Sequence, residues 1–156
     1  MNREALSHEL ENELLSTIPL TRTMQIRVLD YDGHTLRLAA PLEPNINDKG
    51  CAFGGSLVSV MTLACWGLAR SALAEGGHEA DIYVQDSHVE YLAPVWTEIV
   101  ASAAPASGKS LADFVTMFRT RGKARISLTA RVDNLGVEAT RLSARFVAKK
   151  REEKCV

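Results

Sequence analysis

Apolar residues near the N-terminus recur every four positions, from Leu6 to Leu14, and Pro19 interrupts them. This spacing places one apolar stripe along a helix, so it predicts an amphipathic helix over about residues 4–18. Beyond the proline, apolar and polar residues alternate from Met24 onward, which is the two-residue period of a strand. A strand is therefore predicted to begin there.

The alternating segment leads to a turn at Asp32-Gly33 and a second strand-like segment at Leu36, which predicts a β-hairpin with a connection of about two residues. In the second half, β-branched and aromatic residues predict two strands, and a short amphipathic pattern followed by Gly122 predicts a helix. Two further alternating segments flank a turn at residues 134–136 and predict a last hairpin.

The longest apolar run follows the glycine pair Gly54-Gly55 and carries no charge until Arg70. Its apolar residues point around most of a helical circumference, so they predict a central helix over about residues 55–75 that is buried on most sides. Grouped strands without strict strand and helix alternation favour an antiparallel sheet. The predicted fold class is therefore α+β, with a curved antiparallel six-stranded sheet wrapped around a long buried helix.

Length and composition predict a single globular domain over residues 1–156. Hydrophobic residues make up 46% and charged residues 24% of the chain, which argues against disorder. The formal net charge of −1 gives no electrostatic reason to expect nucleic acid as a partner. The charged segment 150–156 is predicted to be frayed.

The cysteines and the first residues of the chain predict a cytoplasmic location. Cys51, Cys65 and Cys155 are an odd number at no paired or metal-ligand spacing, so we expect reduced thiols. The N-terminal segment carries acids throughout and lacks the apolar core of a signal peptide. The long apolar run contains glycines and alcohols, so we expect no membrane span. The histidines are scattered, and no metal site is predicted.

A motif in front of the central helix is shared with a known family. The segment NDKGCAFGG, at residues 47–55, follows a hairpin and opens the buried helix. It resembles the signature of hotdog-fold acyl-CoA thioesterases. Together with Trp66-Gly67 and the strand ending at residues 91–94, it makes the chain similar, over about residues 5–149, to the thioesterase-like domain of the YiiD type. That domain occurs alone or behind an acetyltransferase domain.

The resemblance implies a hotdog fold and the hydrolysis of acyl thioesters. In such thioesterases a backbone N–H at the start of the buried helix binds the thioester carbonyl, and by motif position this donor belongs to Gly54, Gly55 or Ser56. Free N–H groups at the positive end of a helix dipole stabilise an oxyanion in any protein. Phe53 stands before the glycine pair, where relatives often carry a His, so a dehydratase ranks low.

The acidic residues of the family are missing from their two usual positions. Asn47 stands where relatives carry a catalytic Asp or a water-orienting Asn, and Thr62 where others carry Asp or Glu. An amide cannot remove a proton from water. Three interpretations are open: Asn47 and Thr62 hold the water without a base, a carboxylate elsewhere is the base, or the protein binds acyl thioesters without hydrolysing them. The candidate bases are Asp48, Asp86 and Glu90.

Several candidates have structural alternatives. Asn45 is a preferred turn residue as well as a candidate substrate contact. Ser59 and Thr62 can bond the carbonyl four residues back in their helix instead of a substrate. His88, in the middle of a strand, is either a base or a core histidine.

The only basic cluster lies at the end of the short helix and consists of Arg119, Arg121, Lys123 and Arg125. It suits the phosphates of coenzyme A, and it equally suits a solvated strand edge protected by charge. No cofactor is predicted, because coenzyme A would enter only as part of the substrate.

An acyl-CoA or acyl-carrier thioester is the expected partner, and a homodimer, with a tetramer also open, is the expected assembly. A long strand from Ile82 to Tyr91 would leave an unpaired sheet edge that its copy can cover, and hotdog domains normally dimerise with sites between subunits. The predicted catalytic residues are Asn47, Asp48, Gly55 and Thr62, and the predicted substrate contacts are Asn45, Phe53, Gly54, Ser56, Ser59, Asp86, His88, Arg119 and Arg121.

Overall fold

The computed structural model describes residues 2–152. They contain four helices, six strands and one short 3₁₀ turn, joined by loops. The helices are α1 (Arg3–Thr17), α2 (Pro19–Met24), α3 (Gly54–Glu75) and α4 (Leu111–Arg121). The strands are β1 (Arg27–Tyr31), β2 (Leu36–Ala40), β3 (Asp81–Tyr91), β4 (Ile99–Pro105), β5 (Lys123–Asn134) and β6 (Val137–Lys149). The 3₁₀ turn is Glu43–Asn45.

The strands form one antiparallel sheet in the order β1-β2-β4-β5-β6-β3. The sheet curves around α3, which packs against β2, β4, β5, β6 and β3. Val60, Met61, Ala64 and Leu68 of α3 are fully buried in this core. The predicted α+β fold with a long buried helix is confirmed, and α3 begins one residue before the predicted start.

Helix α1 covers α3 on a side that the sheet does not cover. Its leucines at positions 6, 10 and 14 are fully buried, as the four-residue spacing requires. The contact is close at Gly67, where an added Cβ would lie 2.9 Å from Leu10 Cδ2. The helix ends at Thr17, one residue before the predicted end, and Asn2 caps its start by accepting the N–H of Ala5.

The prediction of a strand from Met24 is wrong, because a second helix occupies that position. Pro19 is the first residue of α2, a place where proline is tolerated since it needs no N–H partner. Gln25 ends α2 in the left-handed conformation, with φ 57°. Strand β1 therefore begins only at Arg27.

The first hairpin exists, but four residues, 32–35, separate its strands instead of the predicted two. The carboxylate of Asp32 accepts the N–H groups of Thr35 and His34 at 2.7 and 2.8 Å. These bonds favour the charged form and lower the pKa of Asp32 to about 2. The side chain of Asp32 thus replaces part of the backbone pairing that a two-residue connection would use.

Residues 153–156 of the segment expected to be frayed lie outside the described residues, and so does Cys155.

By length and hydropathy α3 could cross a membrane, but 61% of its most apolar window is buried inside the protein. A core helix meets the same length and hydropathy criteria, so this feature is weak evidence for a span.

Truncation of Leu10 tests the packing of α1 on α3. We expect Leu10→Ala to lower the free energy of unfolding by about 2–5 kcal/mol, because it leaves a cavity over Gly67. Leu20→Ala, at an exposed leucine of α2, is the control and should cost less than about 0.5 kcal/mol. Urea denaturation measures both, and equal losses would contradict the packing described here.

Candidate functional site

The N-terminus of α3 presents backbone donors without partners. The helix begins at Gly54 behind Phe53, and no side chain caps it. Its first intrahelical bond runs from the N–H of Leu57 to the C=O of Phe53, at 3.0 Å. Within residues 2–152, the N–H groups of Gly54, Gly55 and Ser56 have no acceptor. These are the three residues from which the carbonyl-binding donor was predicted.

Two exposed aromatic rings flank the glycine pair. A Cβ added at Gly55 would lie 2.5 Å from Phe53 Cε1, and one at Gly54 would lie 3.3 Å from Tyr91 Cε1. The Tyr91 hydroxyl donates to the C=O of Gly54 at 3.3 Å. The rings of Phe53 and Tyr91 are 54% and 57% exposed. A side chain at Gly55 would displace the Phe53 ring, whereas one at Gly54 would need a shift of only a few tenths of an ångström at Tyr91.

Tyr91 is a residue of this site that sequence reasoning did not select. It stands at the end of β3, 37 residues after Gly54, and only the tertiary fold brings the two together. The strand ending at residues 91–94 was noted as a family feature, but nothing in the sequence places its hydroxyl on the first carbonyl of α3.

Asn47 bonds within its own loop. Its Oδ1 accepts the N–H of Lys49 at 2.8 Å, and its Nδ2 donates to Cys51 Sγ at 3.1 Å. Its backbone N–H also donates to the C=O of Cys51 at 2.8 Å. These contacts shape the loop that leads into α3, and the water-orienting role of Asn47 stays a prediction.

Asn45 is a buried connection between two segments of backbone. Its side chain is 2% exposed, and Nδ2 donates to the C=O of Met24 at 3.0 Å and of Pro41 at 2.8 Å. Its own C=O accepts the N–H of Phe53 at 2.7 Å. Both Nδ2 hydrogens are used, so this geometry matches the structural alternative for Asn45 and leaves no side-chain donor for a substrate.

Ser59 and Thr62 lie together on the side of α3 that the sheet leaves open. Ser59 Oγ donates to the C=O of Gly55 at 2.8 Å, which is the expected structural alternative for a helical serine. Both side chains line a mostly apolar groove of about 270 Å³, whose opposite wall includes Leu20 and Met24 of α2. The groove begins one helical turn beyond Gly55.

The three candidate bases are all exposed carboxylates in ion pairs. Hydrogen bonds to neighbouring cations lower the pKa of Asp48, of Asp86 and of Glu90. The cations are Lys49, Arg145 and Arg141, respectively. A general base at neutral pH needs a raised pKa, so each of these ion pairs weakens the basicity of its carboxylate.

Asp86 and His88 lie away from the glycine pair. In the register of β3 with β6 they stand opposite Arg145 and Ser143, whose side chains point away from the buried core. His88 is 75% exposed on its side chain and lies 3.5 Å from Glu90, so it is not a core histidine. Neither residue converges with the start of α3 in the single chain.

Arg119 and Arg121 lie at the opposite end of α3 from the glycine pair. They belong to the last turn of α4, which packs on the C-terminal end of α3. There the ring centroids of Phe118 and of His78, just beyond α3, lie 5.7 Å apart. At 1.5 Å per residue, the 22 residues of α3 separate its two ends by about 30 Å. A single chain therefore does not bring these arginines to the carbonyl donors.

Comparisons with known proteins agree with the fold. A model of the family described as "Putative thioesterase (yiiD_Cterm)" matches residues 7–150. The chain belongs to this YiiD C-terminal family. The predicted family resemblance is thereby confirmed, and membership supports thioester hydrolysis as the reaction class and a thioester as the substrate.

Solved structures of similar proteins cover nearly the whole YiiD-family chain. A protein of unknown function from Chlorobaculum tepidum TLS is 33% identical, with a TM-score of 0.88 over 96% of this chain and 97% of that one. A "putative thioesterase" from Shewanella oneidensis is 28% identical, with a TM-score of 0.84 over 94% and 99%. A "probable thioesterase" from Pseudomonas aeruginosa, 19% identical with a TM-score of 0.75 over 92% and 96%, shares the fold.

Metal-ligating side chains do not cluster in the part of the chain that the structure describes. No group of three or more His, Cys, Asp or Glu residues there could hold a metal ion. The thiols of Cys51 and Cys65 are free and buried, and burial raises the pKa of Cys65.

Replacement of Asn45 tests its structural role. We expect Asn45→Ala to lower the free energy of unfolding by about 2 kcal/mol, because the buried bond to Met24 and the partly buried bond to Pro41 both lose their donor. Asn2→Ala, at the exposed cap of α1, serves as the control and should cost about 1 kcal/mol or less. Guanidinium denaturation compares them. A stable Asn45→Ala with impaired substrate binding would instead assign Asn45 to the substrate.

Proposed function

We propose that this YiiD-family protein hydrolyses acyl thioesters of coenzyme A or of a carrier protein at the N-terminus of α3. The observation that carries the proposal is the set of unpaired N–H groups at Gly54, Gly55 and Ser56. Attack of water on a thioester moves negative charge onto the carbonyl oxygen, and preorganised donors at the positive end of a helix stabilise that charge. The exposed rings of Phe53 and Tyr91 would pack against the arm that carries the thioester.

Water is proposed to be held by Asn47 and Thr62 without a strong base. Asn47 Oδ1 already accepts the N–H of Lys49, but an amide oxygen has a second lone pair that can accept a hydrogen bond from water. Asp48, the nearest carboxylate in the sequence, is a weak base because its ion pair with Lys49 lowers its pKa. The low basicity of the site implies slow hydrolysis, with the proton passing to solvent.

A homodimer is part of the proposal. Among residues 2–152, strand β3 lies at an edge of the sheet and pairs only with β6, and it exposes Tyr83 and Val84 along its 11 residues. A symmetric antiparallel pairing with a second copy would satisfy this edge and set the Tyr91 end of one strand beside the Asp81 end of the other. Arg119 and Arg121 of one protomer would then lie near the carbonyl donors of its partner.

The same weak basicity favours a second candidate function, a module that binds acyl thioesters without hydrolysing them. The carbonyl donors alone are sufficient for binding, whereas turnover also needs an activated water. In either case the site uses no cofactor, since coenzyme A enters as part of the ligand. The free thiols of Cys51 and Cys65 are compatible with the cytoplasmic location that we propose.

Thiol release from a panel of acyl-CoA chain lengths separates the enzyme from the module. We expect the wild type to release thiol and Asn47→Ala to lower kcat/KM at least about tenfold, because one hydrogen bond to the attacking water is lost. Asn2→Ala should match the wild type, and circular dichroism establishes that both variants fold. Tight acyl-CoA binding without any thiol release would refute the enzyme and support the module.

Light scattering tests the dimer at the β3 edge. We expect a dimer for the wild type and a shift toward monomer for Val84→Lys, because a charged side chain on an edge strand opposes pairing with its copy. Leu135→Lys, at an exposed leucine in the turn between β5 and β6, should remain dimeric. A wild type that is monomeric at micromolar concentration would exclude the shared site.

A further inference from the structure

A cleft beside α4 lies outside the thioester site. Strand β4 ends at Pro105, opposite Leu128, whereas β5 begins at Lys123. The first residues of β5 therefore lack a β4 neighbour, and α4 packs beside β5. The cleft between α4 and this part of β5 has a volume of about 360 Å³.

Positive charge dominates the lining of this cleft. Lys109 precedes α4, Arg125 projects from β5 and Arg145 from β6, whereas the one acid of the lining is Asp113. Arg145 is paired with Asp86 of β3. Among the residues that the structure describes, Lys109 and Arg125 have no carboxylate within 4.0 Å. With Arg145 paired, the two free cations Lys109 and Arg125 still outnumber the one acid of the lining, Asp113, and this excess of positive charge favours an anion.

Hydroxyl groups and an apolar wall accompany the cations. Ser110 and Ser127 line the cleft, and Ser110 Oγ accepts the N–H of Asp113 at 3.1 Å, which leaves its own hydrogen free to donate. Phe114 and Met117 form the wall on the α4 side. Met117 is exposed, so an apolar group bound there would cover it.

We propose that this cleft binds a phosphomonoester attached to a flat or apolar group, of which a nucleoside monophosphate is the simplest example. Arg125 presents a planar fork of donors that matches phosphate oxygens, and Lys109 adds a compact charge. Ser127 supplies a further donor, and the nucleobase of such a ligand lies against Met117. None of the lining residues belongs to the start of α3, so binding here does not depend on thioester hydrolysis.

Calorimetric titration of the full chain in phosphate-free, low-salt buffer tests the site with inorganic phosphate, AMP and adenosine. We expect AMP to bind most tightly, phosphate more weakly and adenosine not measurably. Arg125→Gln and Lys109→Ala should each raise the Kd for AMP about tenfold, because a charge-assisted hydrogen bond is lost. Added salt should weaken binding, since exposed charges are screened.

Arg131→Gln is the matched control, because Arg131 is an exposed arginine on the same face of β5 that pairs with Asp133. It should leave the Kd for AMP unchanged. An equal rise for Arg131→Gln would reduce the effect to nonspecific charge and overturn the proposal. So would adenosine binding as well as AMP, or no binding of AMP and phosphate at millimolar concentration. Thermal unfolding establishes that the variants fold, and none of these results depends on turnover.

Discussion

The burial of α3 determines the rest of the structure. A 22-residue helix that is apolar around most of its circumference is stable in water only when other elements cover it. The curved sheet covers most of its surface and α1 covers another part through Leu10 and Gly67. What stays open is a stripe from Gly55 through Ser59 and Thr62. The candidate site lies on this stripe because it is the part of α3 that the single chain does not bury.

The start of α3 needs polar partners rather than apolar cover, because a helix terminus leaves backbone N–H groups unpaired. A Ser, Thr, Asp or Asn side chain at the cap position can accept one of these N–H groups, but Phe53 offers no acceptor. The loop before α3 uses its polar side chains elsewhere: Asn45 bonds the end of α2, and Asn47 bonds its own turn. The donors of the glycine pair are therefore left for a ligand. The hydrogen bonds that stabilise the loop thus also leave the start of α3 without a side-chain cap.

Periodicity predicted what depends on local sequence and failed where tertiary contacts decide. The spacing of the leucines gave α1 and the apolar run gave α3, each to within one residue, because burial of one face imposes that spacing. Helix α2 was missed since its six residues are too few to show a period and Pro19 resembles a terminator. The contact of Tyr91 with Gly54 depends on how β3 packs near the start of α3, and the ion pairs of Asp86 and Glu90 depend on the register of β3 with β6. No short segment encodes either.

The length of α3 also constrains how coenzyme A could be held. The carbonyl donors lie at one end of the helix and Arg119 and Arg121 at the other, about 30 Å apart at 1.5 Å per residue. If one chain acted alone, the arginines would have no access to a ligand bound at Gly55. Antiparallel pairing of β3 with its copy reverses the direction of the second protomer and so brings opposite ends together. The unpaired edge of β3 and the separation of the carbonyl donors from Arg119 and Arg121 therefore both favour the proposed dimer.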